Sequence, residues 1–219
     1  MSLIEFKNVS FYNDNKYILK DLSFCIEEGD FVSVVGPSGS GKSTFFRLCG
    51  DLISPTSGNI YFKNRSYQDY SPVDLRKNIV YCFQNPYLFG RSVMDNIEFP
   101  YSVRKAKPDS ERIKSLFNMF QISTDYLERD VNNLSGGEKQ RIALIRSLIF
   151  MPEVLLLDEI TSALDADNTL IVENVIKSLN REGVTIMWIT HNQEQSRKSA
   201  NKILTIDSGK IKSFEEVMK

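Results

Sequence analysis

An apolar run, Phe31-Val32-Ser33-Val34-Val35, is joined to the start of a helical segment, Thr44-Phe45-Phe46-Arg47-Leu48, by Gly36-Pro37-Ser38-Gly39-Ser40-Gly41-Lys42-Ser43-Thr44. The spacing fits G-x-x-x-x-G-K-[ST], a strand–loop–helix unit whose loop holds phosphates. Its glycines let the backbone wrap an anion with N–H groups turned inward. In that arrangement Lys42 reaches the β- and γ-phosphates of a nucleotide and the Ser43 hydroxyl ligates Mg²⁺. A buried strand, a tight loop and a helix are therefore expected in that order near residue 40.

The rest of the chain suits such a unit. At 219 residues it is long enough for one domain with a subdomain. Charge is nearly balanced, with 27 basic and 28 acidic residues, so no basic stripe points to nucleic acid. Three widely spaced cysteines, Cys25, Cys49 and Cys82, suit neither a disulfide framework nor a zinc site. They are expected to be small buried side chains in a reducing compartment. Charges interrupt the first seven residues, unlike a signal peptide, and no apolar stretch approaches the ~20 residues needed to cross a bilayer. A soluble protein is expected, with any membrane role carried by a partner.

Segments 4–9 and 18–26 are expected strands, separated by a turn at Asn13-Asp14-Asn15. Further strands are expected at 59–62 and 79–83, and Ser71-Pro72 suits a helix start. From about 85 to 150 the pattern is helical, most clearly at 109–120 and 136–150. Beyond Pro152, apolar strands at 154–157, 184–189 and 203–206 alternate with a helical segment at 170–179. Alternation of this kind gives a parallel sheet flanked by helices. The expected organisation is a core lobe from 1–84 and 151–219 with an inserted helical subdomain at 85–150.

Two acids close the strand Glu153-Val154-Leu155-Leu156-Leu157-Asp158-Glu159. Ligands sit at the carboxyl ends of strands in open α/β sheets. Asp158 is thus placed to hold Mg²⁺ beside Ser43, and Glu159 to polarise an attacking water as general base. His191, the one histidine, follows the strand 184–190 to the same edge and is a candidate γ-phosphate contact. Gln84 follows the strand 79–83 and is a candidate for Mg²⁺ or the water. A second anion site is expected at Leu134-Ser135-Gly136-Gly137-Glu138-Lys139-Gln140-Arg141, where two glycines and a serine open a helix.

The ordered set (phosphate loop, Gln84, Leu134–Arg141, Asp158-Glu159, Ser162-Ala163-Leu164-Asp165, His191) resembles the motif order of the ATP-binding cassette (ABC) ATPases over essentially the whole chain. The resemblance implies an α/β P-loop NTPase fold. It has a mixed, mainly parallel core sheet, an N-terminal antiparallel β-subdomain and an inserted α-helical subdomain. It implies ATP and Mg²⁺ as cofactors and a head-to-tail homodimer in the ATP-bound state. ATP on Gly36–Thr44 of one subunit is then covered by Ser135, Gly136 and Gly137 of the other, with Asp165 at the interface. Adenine is stacked in this family by an aromatic after the first strand; Phe11 and Tyr12 are the candidates, Tyr12 the choice, with Asn13 in the usual register. Ile160 departs from the Pro or Ala common after the paired acids.

A lone cassette in this family serves a separate polytopic membrane protein, which implies a peripheral place on the inner face of the cell membrane. The segment from Gln84 to Ile97 resembles the exporter style of this loop. Its Tyr87, Leu88 and Phe89 suit either a groove for a membrane-domain helix or subdomain core. The runs 81–100 and 158–165 resemble the FetA (YbbL) group, which pairs with a FetB (YbbM) permease and is associated with iron export. The alternatives are a soluble cassette ATPase in Fe–S assembly or another non-transport role, or a transporter for a different substrate.

Overall fold

The computed structural model describes residues 2–190 and 198–217. The chain folds as two compact units: 1–81, 152–159 and 180–219 form the first, 82–151 and 160–179 the second. Among the described residues no helix is long and apolar enough to cross a membrane.

The first unit holds two sheets. An antiparallel sheet runs in the order β2-β1-β4-β5, from β1 (Ser2–Asn13), β2 (Lys16–Glu27), β4 (Ser57–Phe62) and β5 (Arg65–Ser66). The β1–β2 turn falls at Asp14 and Asn15, which accept positive φ (46° and 61°) as Asp and Asn do in turns. The second sheet has six strands in the order β10-β9-β3-β8-β7-β6. They are β3 (Phe31–Val35), β6 (Ile79–Cys82), β7 (Val154–Asp158), β8 (Thr185–Ile189), β9 (Lys202–Asp207) and β10 (Lys210–Glu216). β9, β3, β8 and β7 are parallel to one another, and β10 is antiparallel to β9. Every residue of β7 and β8 is buried, as parallel strands covered on both faces require.

Helix α1 (Lys42–Cys49) lies between the two sheets. Phe45 packs on Phe6 and Phe24 of the antiparallel sheet, with ring centroids 5.4 and 5.5 Å apart. Phe46 packs edge-on against Tyr81 of β6 at 6.1 Å. Both phenylalanines are fully buried, each stabilising by roughly 2–3 kcal/mol through the apolar surface removed from water. The helix that starts at the phosphate loop is thereby wedged in the core. The fold class expected from the sequence is the one observed.

The second unit is helical, with α3 (Val93–Arg104), α4 (Ser110–Met119), α5 (Gly136–Leu148) and most of α6 (Ala166–Arg181); α2 (Pro72–Asn78) belongs to the first. Asn96 on α3 is fully buried and organises this unit. Its amide donates to the carbonyls of Phe89 and Ser92 at 2.8 and 3.1 Å, and its oxygen accepts from Phe89 N and from Arg146 of α5 at 3.1 and 2.9 Å. The Arg112 guanidinium of α4 donates to the Leu148 and Ile149 carbonyls at the C-terminus of α5, at 2.7 and 3.3 Å.

Several bounds differ from expectation for local reasons. Helix α6 begins four residues before Leu170 because Asp165 accepts from Asn168 N at 2.8 Å and starts it there. Strand β10 was not expected, since Lys210–Glu216 alternates too weakly to signal a strand and is an edge. Cys49 and Cys82 are buried, whereas Cys25 is half-buried beside the Ser2 hydroxyl.

Asp30, just before β3, is a buried anchor. Its carboxylate accepts from Glu27 N at 2.8 Å, Asn201 Nδ2 at 3.1 Å and Lys202 Nζ at 2.9 Å. Asp30→Ala leaves Glu27 N and Asn201 Nδ2 without their acceptor and leaves the Lys202 ammonium with Glu27 Oε2 alone, at 3.1 Å. We expect a loss of about 3 kcal/mol, the usual cost of breaking a buried ion pair from one side, read as a lower midpoint in urea unfolding.

Candidate nucleotide-binding site

The phosphate loop leaves the end of β3 and enters α1 at Lys42. Two glycines cannot be replaced without moving backbone. Gly36 has φ +146°, and a Cβ there would lie 1.9 Å from the Ile206 carbonyl oxygen. Gly41 has φ +103°, and a Cβ there would meet the Leu19 side chain at 2.8 Å and the Ile18 carbonyl at 3.0 Å. The loop is also tied at its back: Gly209 N donates to the Ser40 carbonyl at 3.1 Å, and Lys20 N to the Gly209 carbonyl at 2.8 Å.

The start of α1 suits an anion. Gly41 supplies no side-chain cap and the first turn carries no acid, so its N–H groups and positive dipole end are not neutralised locally. Lys42 is 6 % exposed and its ammonium donates to the Gly36 and Pro37 carbonyls, both at 3.0 Å. The Ser40 hydroxyl is buried without a hydrogen-bond partner. Pro37, Ser38, Gly39 and Ser43 line the same turn and are exposed, and Thr44 is half-buried.

Strand register brings the two acids to this edge. Val34 pairs with Ile189, and Ile189 with Asp158. The loop and Asp158 thus lie two strand spacings apart, about 10 Å. Asp158 is buried, and Tyr81 Oη donates to its Oδ2 at 2.6 Å. Glu159 follows in the left-handed region at φ +49°, with its N–H donating to the Ile189 carbonyl at 3.0 Å. That conformation costs a non-glycine residue about 1–2 kcal/mol, and it turns the chain out of the sheet directly after Asp158. His191 lies outside the described residues.

Tyr12 is 42 % exposed near the tip of the β1–β2 hairpin and meets the ring of Tyr17, itself 57 % exposed, edge-on at 5.0 Å. Nothing in the sequence pattern singles out Tyr17. It immediately precedes Ile18 and Leu19, the residues that pack on Gly41. The exposed aromatic surface here is a pair rather than one ring.

The remaining candidates lie in the second unit. Gln84 is exposed just beyond β6. Ser135 N-caps α5 in a capping box: its hydroxyl accepts from Glu138 N at 3.3 Å and its N–H donates to Glu138 Oε2 at 2.7 Å. As an acceptor in this bond, the hydroxyl keeps its own proton for another group. Tyr126 donates to Glu138 Oε1 at 2.7 Å, and that bond, with the Ser135 N–H, holds the Glu138 carboxyl below its usual range. Ser135 and Gly136 are exposed and Gly137 half-buried. A Cβ on Gly137 would lie 3.2 Å from Asn168 Nδ2. That amide donates to Asp165 Oδ2 at 2.7 Å, so Asp165 is linked through Asn168 to the start of α5. Sequence reasoning missed Asn168, although Asp-x-x-Asn at a helix start was a legible signal.

Among the described residues no group of three His, Cys, Asp or Glu side chains is arranged to hold a metal.

Comparison with known proteins bears on this geometry. A family model described as ABC transporter matches residues 19–162. The chain is 40 % identical over 205 residues to "Probable iron export ATP-binding protein FetA" of Escherichia coli K12, covering 93 % of this chain and 91 % of that one. It is 35 % identical to the spermidine/putrescine import ATP-binding protein PotA of Mesoplasma florum, covering 97 % of this chain but only 61 % of that one. Among solved structures, the dimeric post-hydrolysis state of the ATP-binding cassette MJ0796 bound to ADP and Pi matches with a TM-score of 0.88 and 30 % identity, over 99 % of this chain and 100 % of that chain. A bacterial Atm1-family ABC exporter with ATP bound matches with a TM-score of 0.88 and 27 % identity, over 98 % of this chain and 38 % of that chain. The chain belongs to the ABC transporter family, as an ATP-binding and ATP-hydrolysing subunit of a transporter.

Proposed function

We propose that this subunit hydrolyses ATP within a head-to-tail homodimer and so drives export of iron through a separate FetB-like permease, at the inner face of the cell membrane. The site assignments rest on the edge where loop, Asp158 and Glu159 meet. Gly36–Thr44 cradle the phosphates, with Lys42 on the β- and γ-phosphates, and Tyr12 with Tyr17 offers the adenine an aromatic surface. His191 and Gln84 are proposed for the γ-phosphate and the attacking water.

The donors of the first unit fit Mg²⁺. The Ser43 hydroxyl and the Asp158 carboxylate are hard oxygen ligands, few enough to leave places for water and phosphate oxygens. Gln84 is proposed as a further oxygen donor. Mg²⁺ held there would supply neutralisation of charge on the β- and γ-phosphates. Glu159 polarises the water that attacks the γ-phosphorus opposite the bond to the departing ADP. Ser135, Gly136 and Gly137 from the second subunit give their hydroxyl and N–H groups to the γ-phosphate, with Asp165 beside them. We propose 85–150 as the helical subdomain that carries this motif and meets the permease.

The observation that carries the cargo is the 40 % identity to FetA over nine-tenths of both chains. PotA-type relatives, named for spermidine and putrescine import, define the competing cargo. Purification with the membrane fraction is expected to recover a polytopic membrane protein. Vesicles holding the pair should move iron, not spermidine, in an ATP-dependent manner. Spermidine movement without iron movement would reverse the assignment.

Glu159→Gln should retain ATP binding, lose at least about 100-fold in turnover through loss of the base, and accumulate as a dimer on size-exclusion chromatography. Wild-type phosphate release by that variant would remove Glu159 from the role. Ser135→Ala should cut turnover while leaving the monomer's ATP affinity nearly intact, with about 1 kcal/mol lost from the α5 cap. A large loss of monomer affinity would contradict the cross-subunit assignment.

A further inference from the structure

Tyr81 takes no part in the chemistry described so far, yet it is bonded to one of its groups. It lies on β6, half-buried, and its phenol donates to Asp158 Oδ2 at 2.6 Å. The ring is held edge-on against Phe46. The Tyr81–Asp158 bond thus ties β6 to the end of β7 at the carboxylate, with the Tyr81 ring held by Phe46 of α1.

We infer that Tyr81 is the positioning residue for the divalent cation: by occupying Oδ2 it fixes the rotation of the Asp158 carboxylate and presents Oδ1 to the ion or its water. This rests on Asp158 being the carboxylate that holds the cation. A carboxylate free to rotate about its last bond spends its time in several orientations. One held by a short charged hydrogen bond is already oriented, so less ordering remains when the ion binds. The ring contact with Phe46 needs no hydroxyl, so packing alone does not account for the 2.6 Å bond.

Tyr81→Phe keeps the ring and removes only the donor. Mn²⁺ titrated into protein with ADP, with free Mn²⁺ read by electron paramagnetic resonance, gives an affinity independent of turnover. We expect the Mn²⁺ dissociation constant of Tyr81→Phe to rise about tenfold, the lower range for loss of such a partner. Half-saturating Mg²⁺ for ATPase should rise by the same factor, with the rate at saturating Mg²⁺ within about twofold of wild type. Unchanged Mn²⁺ affinity in Tyr81→Phe, when Asp158→Asn weakens it, overturns the role of Tyr81 alone. Unchanged affinity in Asp158→Asn overturns the reading of Asp158 and the inference with it. Melting without metal or nucleotide separates a folding defect: a lower melting temperature with wild-type Mn²⁺ affinity also overturns the inference.

Discussion

Pairing of β3 with β8, and of β8 with β7, sets Val34, Ile189 and Asp158 in one row, and the nucleotide edge depends on that row. A shift of one residue in either pairing would turn every side chain of a strand to its other face. It would also displace Asp158 by a residue's rise relative to the loop. The register is protected because both faces of β7 and β8 are buried, leaving no polar side free to take the wrong position. Asp30 adds a second restraint at the other end of β3. The edge proposed for catalysis is therefore held by backbone ladders and core packing, while the side chains proposed to act there are few.

The helical unit uses a different device. Its presented groups lie at helix starts rather than strand ends, and they are set by caps. Ser135 and Glu138 satisfy each other across the start of α5, with Tyr126 holding the carboxylate from outside. At the start of α6 the Asp165 carboxylate accepts from both the backbone N–H and the side-chain amide of Asn168, and that amide lies beside Gly137. The partners of each cap lie in one chain, so the exposed Ser135-Gly136 edge is shaped in a single subunit. That is the preorganisation an anion contact between two chains needs, since little ordering is left to be done on association.

Much of this was legible in the sequence where the cause is local. The loop from Gly36 to Thr44 signals itself by spacing, β7 by an unbroken apolar run into two acids, and the start of α5 by a serine followed by two glycines. Residues whose meaning depends on distant partners gave no signal. Tyr81 acquires its role from Asp158, 77 positions away. Asn96 acquires its role from Arg146, 50 positions away. Tyr17 becomes notable only once the hairpin sets it against Tyr12. Strand β10 was illegible because an edge strand needs little apolar alternation, and α6 was placed late because its cap precedes its first apolar residue.

The hold on the phosphate loop reaches far along the chain. Gly36 faces the Ile206 carbonyl, Gly41 faces Ile18 and Leu19, and Gly209 bonds the Ser40 carbonyl. The most local motif in the sequence thus has one of the least local sets of contacts. On the ribosome its residues emerge early, but the surface that moulds them is complete only after β9 and the turn at Gly209 have been made. Contacts of such long separation form late in folding because loop closure must precede them. The shape of the loop is accordingly a late product of folding, acquired when the sheet is nearly whole, and an incomplete chain would carry the motif without its shape.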